Sequence, residues 1–167
     1  MGRRVSLLPI LLLYLSASSC AYYSTSGGLV GGIRSIGVPT AESQTAEFDI
    51  AEGLSERAIE GYTRDGRLRV VDEENADALL QLVVVAVEDK AFTYTSSEQT
   101  EQYRFSIRVR GELVRVTDEE MLLEFPPIEG WGTYDASLAD AEGRDLAVEK
   151  ALDMVVEELV DRSTASW

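Results

Sequence analysis

The chain has 167 residues, 45% of them hydrophobic, with 30 acidic residues against 15 basic, one cysteine and no histidine. That length suits one domain with a real core, and a single cysteine excludes an internal disulfide framework. The lack of histidine removes the commonest metal ligand and the usual general base, which disfavours most hydrolytic chemistry, and the acidic balance repels nucleic acid and anionic head groups.

Met1 to Arg4 is a short basic region, Val5 to Leu15 a mostly apolar stretch, and Ser16 to Ser19 are all small. That order predicts a secretory signal peptide over 1–19. The apolar stretch falls well short of the roughly 20 residues a permanent membrane helix needs. The bond it marks is the one before Cys20, where a bacterial lipoprotein signal peptidase also cuts. An unpaired exposed thiol in an oxidising compartment is a liability, so Cys20 is predicted to be the mature N-terminus and to carry a lipid anchor of the palmitate kind. Ala17 stands where such signals prefer Leu, and Ser19 where they prefer Gly or Ala. The alternative is an incidental thiol beside an ordinary cleavage site. Because Arg3 and Arg4 are the only charges ahead of Cys20, a product beginning there has 13 basic residues against 30 acidic. Ala21 rather than Asp follows the cysteine, which suggests sorting to the outer membrane.

Residues 20–32 are rich in Ser, Gly and Tyr without an apolar period and are expected to be a tether, followed by one domain over 33–167. Ile33 to Val38 reads as a short strand stopped by Pro39. Asp49 and Glu52 resemble a capping box, and Phe48, Ala51, Leu54, Ala58 and Tyr62 form an apolar stripe, so a helix is expected over about 49–64 with Gly66 as its stop. Arg67 to Asp72 reads as a brief strand and Glu73 to Asp77 as an acidic turn. Ala78 to Val87 is a nearly unbroken apolar run, expected to be a central strand or one buried on both faces. Lys90 to Thr100 is polar and reads as a loop or hairpin tip.

From Tyr103 the alternation is strict. Tyr103, Phe105, Ile107 and Val109 face one way, while Arg104, Ser106, Arg108 and Arg110 face the other. Val114 and Val116 then take over from the odd positions in the apolar pattern, which suggests a bulge near Gly111. Met121 to Phe125 begins a further strand, interrupted at Pro126-Pro127 and resuming through Trp131 to Tyr134, as an edge or a bend. Val148, Ala151, Leu152, Val155 and Leu159 make a second helical stripe over about 141–162. The expected fold is α+β: two helices on one face of a mixed, mostly antiparallel sheet of four to five strands.

Chemistry-bearing motifs are sparse. Lys90 and Lys150 are the only lysines, so a Ser–Lys nucleophile is thinly supported. Gly27-Gly28 and Gly31-Gly32 precede the first strand and lack the context of a dinucleotide motif. Asp72-Glu73-Glu74 with Asp77 lacks calcium-loop spacing and reads as a solvated turn. No catalytic residue, metal site or cofactor is expected.

Cys20 with Tyr22, then Ile33-Arg34-Ser35-Ile36-Gly37-Val38-Pro39-Thr40 with Glu42 and Thr45, Gly66 to Val71, Ala76-Asp77-Ala78-Leu79-Leu80, Gly130 to Tyr134 and the terminal helix stand in an order that resembles the lipopolysaccharide-assembly lipoproteins (LptE-like). The resemblance implies a non-catalytic outer-membrane lipoprotein, held on the periplasmic side by its acylated cysteine, that plugs and helps assemble the LptD-type β-barrel while lipopolysaccharide passes to the outer leaflet. A similar α/β build also occurs in accessory lipoproteins of other envelope machines, which stays as the alternative. Arg104, Arg108 and Arg110 form the one concentrated basic stripe in this acidic chain and are the candidate glycolipid contacts. The competing expectation is that they pair with Asp and Glu on neighbouring strands.

Overall fold

The structure, a computed structural model, describes residues 30–97, 99–138 and 141–164. Cys20, the signal segment and most of the expected tether lie outside these residues. After a 3-10 turn at Val30–Gly32 come β1 (Ser35–Gly37), β2 (Glu42–Ser43), α1 (Phe48–Asp65), β3 (Arg69–Val70), β4 (Ala78–Tyr94), β5 (Thr100–Arg115), β6 (Met121–Asp135) and α2 (Ala141–Thr164). One six-stranded sheet has the order β3-β1-β4-β5-β6, with β2 following β1 along the same edge of β4. Pairings of β1 with β3 and β4, and of β2 with β4, are parallel, whereas β4, β5 and β6 form an antiparallel meander. The fold is therefore the expected α+β arrangement, with one strand more than anticipated. The addition is β2, whose two residues are too few to show a period in sequence.

α1 begins one residue earlier than expected. Its N-cap is Glu47, without a side-chain cap bond, so the Asp49–Glu52 capping box does not form and Asp49 lies within the first turn. Phe48 is 70% exposed and drops out of the stripe, while Ala51, Leu54, Ala58 and Tyr62 are buried as expected and Ile50 joins them. Gly66 ends the helix in the left-handed region at φ 73°, where its N–H bonds the Tyr62 carbonyl, a conformation glycine adopts without a Cβ penalty.

β4 runs on to Tyr94 and β5 starts at Thr100, so the polar segment is the hairpin tip, with strand reaching further into it than expected. β4 is not buried on both faces: Ala78, Leu80, Leu82 and Val84 are buried, while Gln81 is exposed. At Val84/Ala86 the register against β5 slips by one residue, leaving Val85 as the extra residue of a bulge. Beyond it the odd residues Val87, Asp89 and Ala91 share the helix side with Ile107, Phe105 and Tyr103. In β5 the odd side stays inside throughout, with Phe105, Ile107, Val109 and then Leu113 buried and Val116 43% exposed. The expected phase change at Val114 is thus absent. The slip near Gly111 is against β6, where Val109 pairs with Ile128 and Gly111 with Phe125. The extra residue belongs to the Pro126-Pro127 step, where two residues without N–H fall in a bulge of the edge strand.

The helices run in the same direction over the inner face, as the contacts Glu47–Arg144, Arg57–Asp153 and Tyr62–Ser163 show. α2 lies almost on the backbone of β6: a Cβ at Gly130 or Gly132 would fall inside the van der Waals shell of the Ala151 or Ala147 carbonyl oxygen. Tyr62 is fully buried, and its hydroxyl bonds Ser163 Oγ at 2.7 Å and donates to the Leu159 carbonyl at 3.2 Å. Burial drives its pKa upward.

Asp77 closes the parallel corner. Its Oδ2 accepts the N–H of Arg34 at 2.8 Å and of Ser35 at 2.9 Å, and its own N–H donates to Ser35 Oγ at 3.0 Å. The acid between Ala76 and Ala78 thus pins the start of β1 to the start of β4. These bonds, led by the Arg34 N–H, hold its pKa below the ordinary 3.8.

The close helix–strand approach and the Asp77 corner can each be tested. Gly130→Ala and Gly132→Ala should each lower unfolding free energy by about 1–3 kcal/mol, because α2 must lift. An Arg108→Ala control on the opposite face should cost less than about 1 kcal/mol in the same denaturant titration. Since a depressed carboxylate pKa contributes stability above its unfolded value and loses it as pH falls through the folded value, the native chain should weaken below about pH 4. The Asp77→Asn variant should show a smaller change across that window, read as the difference between the two denaturation midpoints.

Candidate functional site

The even residues of β5 point away from the helices, so Arg104, Arg108 and Arg110 share the uncovered face of the sheet. Their surroundings differ. Cross-strand register sets Arg104 between Lys90 and Thr133, and Arg108 between Ala86 and Glu129, while Arg110 pairs with Val83 and falls opposite the β6 bulge.

The Arg104 guanidinium lies 3.7 Å from the centroid of Phe92 and 4.7 Å from that of Trp131. Phe92 reaches this face at the second irregularity of β4, between Ala91 and Thr93. Trp131 is on it because its neighbours Gly130 and Gly132 face α2, and the Lys150 amine comes within 5.6 Å of the indole. A cation between two rings gains from their quadrupoles, on the order of 0.5–2 kcal/mol. Arg104 forms no ion pair among the described residues, and its Nε is buried without a hydrogen-bond partner.

Arg108 approaches Glu129 at 3.7 Å with both side chains about half exposed, a contact of little energetic weight. Arg110 lines an open groove of about 510 Å³ with Glu42, Gln81, Glu112, Glu124 and Pro127, and forms no ion pair among the described residues. Of the three arginines, then, one has the carboxylate partner that the competing expectation required.

The aromatic slot is far from the chain's point of arrival. Arg115, at the other end of β5, donates to the Gly31 carbonyl at 3.1 Å and pairs with Asp118 and Glu120. Arg104 and Arg115 are separated by about 36 Å of strand at about 3.3 Å per residue.

On the covered face a polar cluster joins four elements. Arg144 of α2 bonds Glu47 at 2.6 Å and Asp89 of β4 at 3.1 Å, and Tyr134 of β6 donates to Asp89 at 2.8 Å. Tyr103 stacks on Tyr134 with centroids 5.5 Å apart. Burial, then the bond to Asp89, raises the Tyr134 pKa to about 12. Burial opposes the Arg144 charge, but its bonds to Glu47 and Asp89 outweigh that and the net shift is upward. This cluster braces the fold and holds no nucleophile with a base in reach.

Sequence reasoning found the arginines but missed the slot around Arg104. Trp131 was visible as an aromatic in a strand; Phe92 lay in a segment read as a loop or hairpin tip. Asp89 turns inward because of the Val85 bulge, which leaves no mark in a run of consecutive valines. No helix among the described residues is long and apolar enough to cross a membrane.

No curated protein matches the chain by sequence. Solved structures do match in fold. A protein of Xanthomonas campestris has TM-score 0.59 at 15% identity, covering 78% of this chain and 83% of its own. An uncharacterized lipoprotein B of Nitrosomonas europaea has TM-score 0.56 at 14% identity, with coverages of 78% and 83%. A point variant of the PelC dodecamer of Paraburkholderia phytofirmans has TM-score 0.52 at 16% identity, with coverages of 84% and 96%. At these identities they establish the shared fold. The family model for lipopolysaccharide assembly, LptE, matches residues 33–163, from shortly ahead of β1 to the last turn of α2, and the chain belongs to that family.

Proposed function

We propose that the protein is an outer-membrane lipoprotein, anchored on the periplasmic side by acylated Cys20, that acts without catalysis as a subunit of an LptD-type β-barrel translocon. There it assists assembly of the barrel and delivery of lipopolysaccharide to the outer leaflet. The observation that carries this reading is the family match over almost the whole described chain. The uncovered sheet face supports it. An acidic chain that keeps Arg104 between two aromatic rings and unpaired with any described carboxylate has a cation available for an anionic group. Arg108 and Arg110 extend that stripe toward the chain's arrival point. Contact with the barrel rests on shape and on apolar and hydrogen-bonded surfaces, with charge selecting partner and register.

Affinity purification of the full chain from detergent-solubilised envelope should bring down a large β-barrel. Recovery of a different envelope complex in its place would assign the chain to another machine. Cys20→Ser should abolish incorporation of a fatty-acid label, and unchanged labelling would refute the anchor. With folding confirmed, Arg104→Gln should weaken lipopolysaccharide binding about tenfold or more, as expected for a charge-assisted contact, and Arg108→Gln by much less. Equal, small effects at both positions would leave the arginines as solvated surface.

A further inference from the structure

The sheet has a second edge, opposite β6, and it carries an unfilled strand position. β3 is the last strand on that side. Arg69 donates its N–H to the Arg34 carbonyl and Val71 donates to that of Ile36, each at 3.0 Å. Residues of a parallel ladder turn their backbone groups alternately to one neighbour and the other. Val70, between those two donors, therefore presents both its N–H and its C=O to the open side.

Beside that edge is a groove of about 760 Å³. Its floor is apolar: Val38, Val70 and Val71 are half-buried, and Ile59 of α1 is 40% exposed. Its rim is acidic. Asp72, Glu73 and Glu74 follow β3 after Val71, are exposed, and take part in no ion pair among the described residues.

We propose that this groove receives an extended basic segment of a partner polypeptide, added to the sheet as a strand alongside β3. Each component of the site selects one property of the occupant. The outward backbone pair at Val70 asks for a strand, the Ile59–Val71 floor for apolar side chains on one of its faces, and the three unpaired carboxylates for Lys or Arg nearby. The given sequence is itself acidic, with 30 acidic residues against 15 basic, so a basic strand is sought in a partner polypeptide. The inference is independent of which envelope machine the chain serves, and its failure leaves the family reading intact.

The test uses the full chain in detergent micelles and a capped hexapeptide of alternating lysine and valine. Binding is followed calorimetrically, with hydrogen exchange at the Val70 amide read in parallel. The peptide should slow exchange at Val70 about tenfold or more, and the combined variant Asp72→Asn, Glu73→Gln, Glu74→Gln should weaken its binding about tenfold at low salt. Ile59→Ser should weaken it in both low and high salt. Neutralising Asp145, Glu149 and Glu157, exposed acids of α2, should change the affinity less than about twofold, since separated exposed charges are screened. An alternating glutamate–valine peptide should not bind. The proposal is overturned by absence of lysine–valine peptide binding, by binding that leaves Val70 exchange unchanged, or by equal losses in the two charge variants, which would mark attraction to net charge alone.

Discussion

The arrangement of the domain depends on α2 lying against bare backbone. Gly130 and Gly132 of β6 meet the carbonyls of Ala151 and Ala147, so no side chain separates helix from strand at that crossing. That approach brings Val155 and Leu159 down onto Gly130 and Gly111, where the fully buried Leu80, Phe105, Ile107 and Leu113 fill the layer beneath. α1 is then placed by α2 rather than by the sheet alone: Gly61 admits Val156, and the Tyr62 hydroxyl ends in a bond with Ser163. Interiors at crystal-like density tolerate little added volume, so small residues at these crossings are structural requirements.

One consequence is a domain with two unlike faces. The covered face pairs its polar groups in satisfied sets, as in the Arg144–Asp89–Tyr134 cluster at its margin, which ties the N-terminal ends of both helices to β4 and β6. The open face pairs its cations unevenly. Lys90 pairs with Glu88 and Arg108 approaches Glu129, whereas Arg104 is held by aromatic rings and by no described carboxylate. A cation held by rings retains its capacity for an anion, whereas one already paired to a carboxylate has largely spent it. That is why Arg104 is distinct from Arg108, although their positions in the alternating pattern are equivalent.

Elements whose burial follows a simple period could be read from the chain. The alternation from Tyr103 to Val109 placed β5 correctly, and the spacing of Ala151, Leu152, Val155 and Leu159 placed α2. Reading failed where backbone irregularities reset the phase. The Val85 bulge reversed the inward side of β4 and carried Asp89 to the covered face, and the shift of the apolar pattern to Val114 and Val116 suggested a phase change in β5, whereas the slip near Gly111 has its extra residue at Pro126-Pro127. Phe48 showed the other failure. It fits the helical period but sits at the first helical position, where no neighbour covers it. Of the candidate site, the arginines were legible from alternation alone, while the slot around Arg104 required knowing that Phe92 and Trp131 flank it from two strands far apart in sequence.

The acidic character of the chain acts most directly at the edges of the sheet. A long edge strand offers unpaired backbone groups to any passing strand, including those of a second copy. β6 is such an edge over 15 residues, and it is interrupted in the middle by two prolines and a bulge and covered on one face by α2. β3 is blunted differently, being two residues long and followed, after Val71, by Asp72, Glu73 and Glu74. Between identical chains carrying a net charge of −15, carboxylates beside an open edge oppose self-pairing, since like charges would be brought together as the strands met. The same carboxylates do not oppose a basic strand. Charge thus converts an edge that geometry leaves open into one that discriminates between its own copies and a complementary partner.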